Sequence, residues 1–316
     1  MTGQPKISVL TSLYQSENFL KLFLAHIEEQ SLFSELEFVL VINDASQEEQ
    51  NLCLAAKERY PEQFQLLFVR PLESLGASWN RAWKEAKSEL VAVWNVDDRR
   101  ESDALERQWL AMQTNPDWQL CYGDYVRVPS YGAELGERRS TPPYSRGRFR
   151  RSFPQGGAFW VMRRELFKEI GFFDEQFQVG SDLDYSLRIA EAGFEMGKVQ
   201  GLMGYFTDAK EGLSTRDDGR PSDIERTAIQ LRYGIFDKVR SEFLPAAAKF
   251  KIDAIQSFDE WIAIDRLLPH LKERKARLQP LWRLGWLRNQ SRKLLARLGL
   301  LKLIYRIQAK VIGREL

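Results

Sequence analysis

Two carboxylates stand side by side at Asp97 and Asp98, where the apolar run LVAVWNV (90–96) ends and just ahead of Arg99 and Arg100. Adjacent ionised carboxylates repel, and a chain that closes a buried strand with them must relieve that repulsion. Pairing with the two arginines would relieve it, and so would plain solvation. A divalent cation would relieve it more fully, and hard oxygen donors select Mg²⁺ or Mn²⁺. Histidine occurs only at His26 and His270, and the two cysteines, Cys53 and Cys121, lie far apart, which argues against zinc or iron on imidazole or thiolate. Other apolar runs also end in polar groups: Ser12, Tyr14 and Glu17 after the first, Asn43 and Asp44 after the second.

The elements that would position these groups follow from the pattern of apolar residues. KISVLTSLY (6–14), LEFVLVIND (36–44), FQLLFVR (64–70) and LVAVWNV (90–96) read as buried strands. Helical spacing separates them over 17–31, after Ser46, and over 76–87. Ser46 with Glu49 three residues on predicts a capping box. This alternation predicts an α/β fold, a mostly parallel sheet with helices on both faces. Such sheets bind ligands at the carboxyl ends of their strands, which is where the polar groups fall.

From Pro129 to Gly157 the pattern dissolves into a segment with four prolines, five glycines and six arginines. An arginine-rich stretch, 138–151, reads either as a solvated loop or as a lid over a ligand. Order returns at 158–175 and in a helix over 182–193 that ends at Gly193. Ser181 and Asp182 suit the start of that helix as N-cap and first-turn acid. Asp184 and Arg188 are spaced to pair. After about Lys238 the pattern is helical throughout.

Five segments in this order resemble family 2 glycosyltransferases, over roughly residues 6 to 215: KISVLTSLYQSENFL, LEFVLVINDASQ, LGASWNRAWKEAKSELVAVWNVDD, GGAFWVMRRELFKEIGFFDE and GSDLDYSLRIAEAG. The resemblance implies a GT-A fold, a Rossmann-like sheet. It implies an enzyme that moves a sugar from a nucleotide-diphospho-sugar to a hydroxyl with inversion, in cell-surface glycan or polysaccharide assembly. The acceptor would be a glycan or lipid-linked glycan. Residues 1–128 would form the nucleotide-sugar half, 129–237 the acceptor half with its arginine-rich loop, and 238–316 a helical basic extension.

Residue by residue, the resemblance places Tyr14 on the donor base and Asp44 on the base or ribose. Ser12 and Glu17 would line the same crevice. Asn80 would contact the donor or brace the framework. Asp97 and Asp98 fall in the metal motif, with Asp98 the direct ligand, and the metal would bridge the diphosphate oxygens. Asp182 aligns with the base that takes the acceptor proton. Two positions depart from the family: Asn95 stands where an aspartate is usual, and Ser181 where a glutamate is usual. They feed an alternative, a catalytically silent domain that binds nucleotide or scaffolds an assembly. Asp208 stands near a place where relatives often carry a histidine, and as an oxygen ligand it could take that role.

Charge divides the chain unevenly. The net charge is +2, yet residues 266–316 carry fourteen basic side chains against two acids, leaving −10 over the rest. Leu294, Leu298, Leu301, Ile304, Ile307 and Val311 share one helical face, with Lys302, Arg306, Lys310 and Arg314 on another. Either this tail packs on the protein, or residues 292–314 lie on an anionic membrane surface. No recognised nucleic-acid module accompanies the charge, so nucleic acid is not expected as a partner. Two buried reduced cysteines and no signal or spanning pattern predict a cytoplasmic protein, peripheral on the inner face of the plasma membrane if the tail binds lipid.

Overall fold

The computed structural model describes residues 3–146, 159–208 and 219–273, with positions 291, 294, 295, 298 and 300 beyond them. The chain divides into two compact units, Met1–Ser222 with Asp253–Leu268, and Asp223–Ile252 with Pro269–Leu316.

The first unit is built on one curled sheet. Strands β1 (Ile7–Leu13), β2 (Leu36–Asn43), β3 (Phe64–Val69) and β4 (Leu90–Val93) are parallel, in the order β3-β2-β1-β4. The short β5 (Arg99–Arg100), β6 (Trp118–Val128), β7 (Glu137–Arg139), β8 (Val161–Arg163) and β9 (Glu195–Thr207) complete it. Strand β8 runs antiparallel to both β4 and β6, and so joins the halves expected on either side of residue 128 into one sheet.

The burial pattern explains the layering. All eight residues of β2 are buried, as a central strand covered on both faces must be. Val9, Phe38 and Leu40 face helices α1 (Glu17–Glu28), α2 (Gln47–Arg59) and α4 (Ala104–Thr114), meeting Phe23, Cys53 and Leu105. Leu10, Val39 and Val41 face the other way, toward α3 (Leu75–Glu85) and α5 (Ser181–Ala192), meeting Trp83, Tyr185 and Ile189. Cys53 and Cys121 are buried free thiols, each pushed up to about 12 by burial.

Two expectations need correction. The fourth strand stops at Val93, not 96: the Trp94 indole is buried and donates to Asp98 O at 2.9 Å, and Asp98 N donates to Asn95 O at 3.1 Å, which folds 94–98 into a turn. The chain after Lys238 is also not helical throughout. A hairpin, β10 (Ala254–Ser257) and β11 (Glu260–Ala263), interrupts it. Its two-residue turn sets Phe258 at φ 51° and Asp259 at φ 63°. Such turns usually announce themselves with Asn-Gly or Asp-Gly, and neither is present.

In the second unit, α6 (Arg220–Arg232, begun in the first unit) ends in a buried arginine. Arg232 donates to Ile252 O and Lys251 O, both at 3.1 Å. Among the described residues no helix is long and apolar enough to cross a membrane. The tail segment 292–314 and the 147–151 part of the arginine-rich stretch lie outside the described residues, apart from isolated positions in the tail.

Candidate functional site

The carboxyl ends of β1, β2 and β4 open side by side, because Leu13 registers with Ile42 and Leu10 with Val93. Thr11 Oγ1 donates to Trp94 O at 2.8 Å and ties the end of β1 to the turn that carries the acids. Asp98 is buried and held on both oxygens. Its Oδ1 accepts from Thr207 N at 3.0 Å, and its Oδ2 accepts from Asn95 Nδ2 at 3.2 Å. Burial pushes its carboxyl well up and the Asp97 charge adds to this, against the bonds from Thr207 and Asn95 and a weaker pull from Arg100. Burial also pushes Asp97 up.

The neighbouring arginines are committed elsewhere. Arg100 donates to Gln108 Oε1 at 2.8 Å, Val93 O at 2.9 Å and Trp160 O at 3.3 Å. Arg99 lies over the Tyr205 ring at 4.2 Å and reaches Glu134 at 3.5 Å. Among the described residues the acids are therefore a pair of hard oxygen donors with little positive charge beside them, and this donor set fits Mg²⁺ or Mn²⁺. Among the described residues no three acidic, histidine or cysteine side chains converge. Asp97 and Asp98 would therefore hold a cation jointly with ligand oxygens and water. Asp208 is paired with Arg127, which sets its carboxylate against a guanidinium and not in that donor set.

Asn95 is a donor here. An aspartate at 95 would set a third acceptor against Asp98 Oδ2, so the amide is the group that keeps Asp98 oriented. Ser181 follows the same logic. It does not cap its helix; it is the first residue of α5, buried, and its hydroxyl lies 3.2 Å from Asp174 O and 3.0 Å from Phe177 O. A glutamate would face those carbonyls with further acceptors. A Cβ on Gly76 would come 3.1 Å from Ser181 Oγ, so α3 and α5 approach closely at their N-terminal ends. Asp182 follows in the first turn of α5, half-buried, with Oδ1 accepting from Leu183 N at 2.6 Å. Asp184 and Arg188 form the expected pair, fully buried at 2.9 Å.

On the other side, Tyr14 is 43% exposed, Glu17 is exposed in the first turn of α1, and Ser12 is half-buried at the end of β1. Asp44 is exposed at φ 52°, and Gln15, beside Tyr14, has φ 51°. Left-handed backbone on a residue with a side chain costs about 1–2 kcal/mol and persists only where its surroundings enforce it. Asn43 pins the next loop, with Nδ2 donating to Glu73 O and Oδ1 accepting from Glu73 N, both at 3.0 Å. Asn80 is fully buried, donates to Phe173 O and Glu175 Oε1, and accepts from Phe173 N, bonds that brace the framework.

Two residues at the crevice escaped the sequence reading. Arg70 follows β3 with its Nε 3.5 Å from Asp44 Oδ1, and the strand-end rule that selected Asp44 would also have found it. Tyr131 comes from the glycine- and proline-rich stretch. Its hydroxyl sits 3.0 Å from His26 Nδ1, and burial pushes its phenol up with the Asp98 and Asp97 charges adding to this. Nothing local in the sequence marks that approach.

A curled, mainly parallel sheet that opens onto a polar crevice beside an acidic pair defines the GT-A fold. Residues 5–230 match the family described as "Glycosyltransferase like family 2". The chain belongs to that family. It is 22% identical over 223 residues to the O-antigen biosynthesis protein RfbC of Myxococcus xanthus, a match that takes in 69% of this chain and only 17% of that protein. In structure it resembles S. aureus TarS 1–349 in complex with UDP-GlcNAc, with a TM-score of 0.55 and 19% identity over 77% of this chain and 73% of that one. It also resembles the mannosyltransferase PcManGT from Pyrobaculum calidifontis in complex with GDP-Man and Mn²⁺, with a TM-score of 0.52 and 16% identity over 98% and 84% of the two chains.

Proposed function

We propose that this protein is an inverting, metal-dependent glycosyltransferase that moves a sugar from a nucleotide-diphospho-sugar to a hydroxyl of a glycan or lipid-linked glycan. The observation that carries this reading is the Asp97–Asp98 pair, half-buried and buried in turn, whose carboxyls are pushed up and which makes no ion pair among the described residues, at the carboxyl ends of a parallel sheet. Relatives solved with UDP-GlcNAc and with GDP-Man and Mn²⁺ support the donor class.

Tyr14 offers a face for the base, and Asp44 accepts from base or ribose donors. Ser12 and Glu17 line the same opening. Asp97 and Asp98 would hold Mg²⁺ or Mn²⁺, which would supply positive charge against the departing diphosphate. Asp182 takes the proton from the acceptor hydroxyl. The acceptor oxygen bonds to the anomeric carbon, and the sugar–phosphate bond breaks with its electron pair leaving on the nucleoside diphosphate. One base and no enzyme-bound sugar means the anomeric configuration inverts.

The test is transfer or donor hydrolysis from UDP-GlcNAc, GDP-mannose and related donors with Mn²⁺. Asp98→Ala and Asp182→Asn should each lower turnover by a factor of about 100 or more. Nucleotide binding by the wild type without turnover on any donor would replace this reading with the silent scaffold. The basic tail would hold the enzyme peripherally on the cytoplasmic membrane face, where lipid-linked acceptors are presented.

A further inference from the structure

The two turns at the crevice that contain the left-handed residues Gln15 and Asp44 are tied to each other by one side chain that sits in neither. Glu49 is fully buried in the first turn of α2. It forms the expected capping box, with Glu49 N donating to Ser46 Oγ at 3.3 Å and Ser46 N donating to Glu49 Oε2 at 2.8 Å. Its other oxygen crosses to the neighbouring loop: Oε1 accepts from Ser16 N at 2.7 Å and also from the Ser16 hydroxyl. Ser16 stands at the start of α1, where no side chain of its own caps the helix. One carboxylate thus gives one oxygen to the turn after β1 and the other to the turn after β2.

These are the turns that carry Tyr14 and Asp44. Gln15 lies between Tyr14 and Ser16, and Asp44 lies two residues before Ser46. A capping box alone needs only the Ser46 contacts, and the Ser16 bonds go beyond it. We propose that Glu49 is a positioning residue for donor recognition, fixing the separation of Tyr14 and Asp44 so that both engage the nucleoside end of the donor. This rests on the functional reading above and adds the residue that sets the geometry of its base pocket.

Glu49→Gln keeps the volume and replaces one acceptor oxygen with a donor that opposes a backbone N–H. Calorimetric titration with UDP, GDP, UMP and GMP, each with Mn²⁺, reads the effect. The variant should bind the preferred diphosphate and its monophosphate more weakly by the same factor, about tenfold, because the loss lies at the nucleoside end. Asp98→Ala should instead weaken the diphosphate far more than the monophosphate. The donor KM should rise in Glu49→Gln while the acceptor KM holds. A variant that melts at lower temperature yet binds all four nucleotides as the wild type does would reduce Glu49 to a cap and overturn the inference. If the wild type binds none of the four, the functional reading itself fails, which is a separate result. Should Glu49→Gln not fold, Ser16→Ala removes one donor to the same carboxylate and faces the same two outcomes.

Discussion

At Asp98 the energetics run against the charged carboxylate. Its carboxyl is raised by burial and by Asp97. A group raised on folding contributes stability below its unfolded value and loses that contribution as pH rises through the folded value. Stability without metal should therefore fall as pH climbs from the acid side toward neutrality and beyond. Asp98→Asn is neutral and similar in shape, so in EDTA near neutral pH it should melt higher than the wild type. Added Mn²⁺ should stabilise the wild type and leave the variant unmoved. A thermal-shift series with and without Mn²⁺ decides this, and an unchanged melting curve for the variant in EDTA counts against the charge argument. The acids were legible in the sequence because two like charges at a strand end are conspicuous by type. The means of holding them was not: Thr207 N reaches Asp98 from 109 residues away, and Tyr131 arrives through an irregular loop.

At the scale of elements, the sequence was most legible where burial dictates a period. Strands β1 to β3 came out within a residue of their expected ends, because each is apolar and short between helix starts. The turn at 94–98 and the hairpin at 254–263 were not legible. One depends on a tryptophan bonding back across four residues, the other on a turn without its usual glycine. Asn80 illustrates the difference between touching a ligand and supporting the crevice. Asn80→Ala strips partners from Phe173 N and O and from Glu175. It should cost about 1–3 kcal/mol in denaturant unfolding while leaving nucleotide affinity unchanged. Asp124 clips the loop after β7, accepting from Thr141 N at 2.8 Å and meeting Lys198 at 2.7 Å. Burial pushes its carboxyl up, but the bonds from Lys198 and Thr141 outweigh this and leave it below its ordinary value. A depressed carboxyl contributes stability above its unfolded value and loses it as pH falls through the folded value. Asp124→Asn should thus be about 1 kcal/mol less stable near neutral pH, with the gap to the wild type closing under acid.

At the scale of the molecule, charge and family boundary both point beyond the matched region. Residues 266–316 carry the basic excess, and each cation near an anionic leaflet is worth about 1 kcal/mol. Replacing Lys302, Arg306, Lys310 and Arg314 with glutamate should release the protein from phosphatidylserine vesicles in a sedimentation assay. Equal sedimentation of both forms would leave the tail as packing alone. The family match ends at residue 230, yet β10 and β11 belong to the same compact unit as the sheet. Gln256 N donates to Asp174 Oδ1 at 3.0 Å, Phe258 N to Glu175 Oε1 at 3.0 Å, and Glu175 N to Gln256 O at 2.9 Å. Those acids lie just ahead of the helix that bears Asp182. A protein trimmed where shared ancestry fades would keep every acidic side chain of the crevice and lose the strap fastened to the approach to α5. Its silence in an assay would then be blamed on missing chemistry, when the cause was a cut made thirty-odd residues too early.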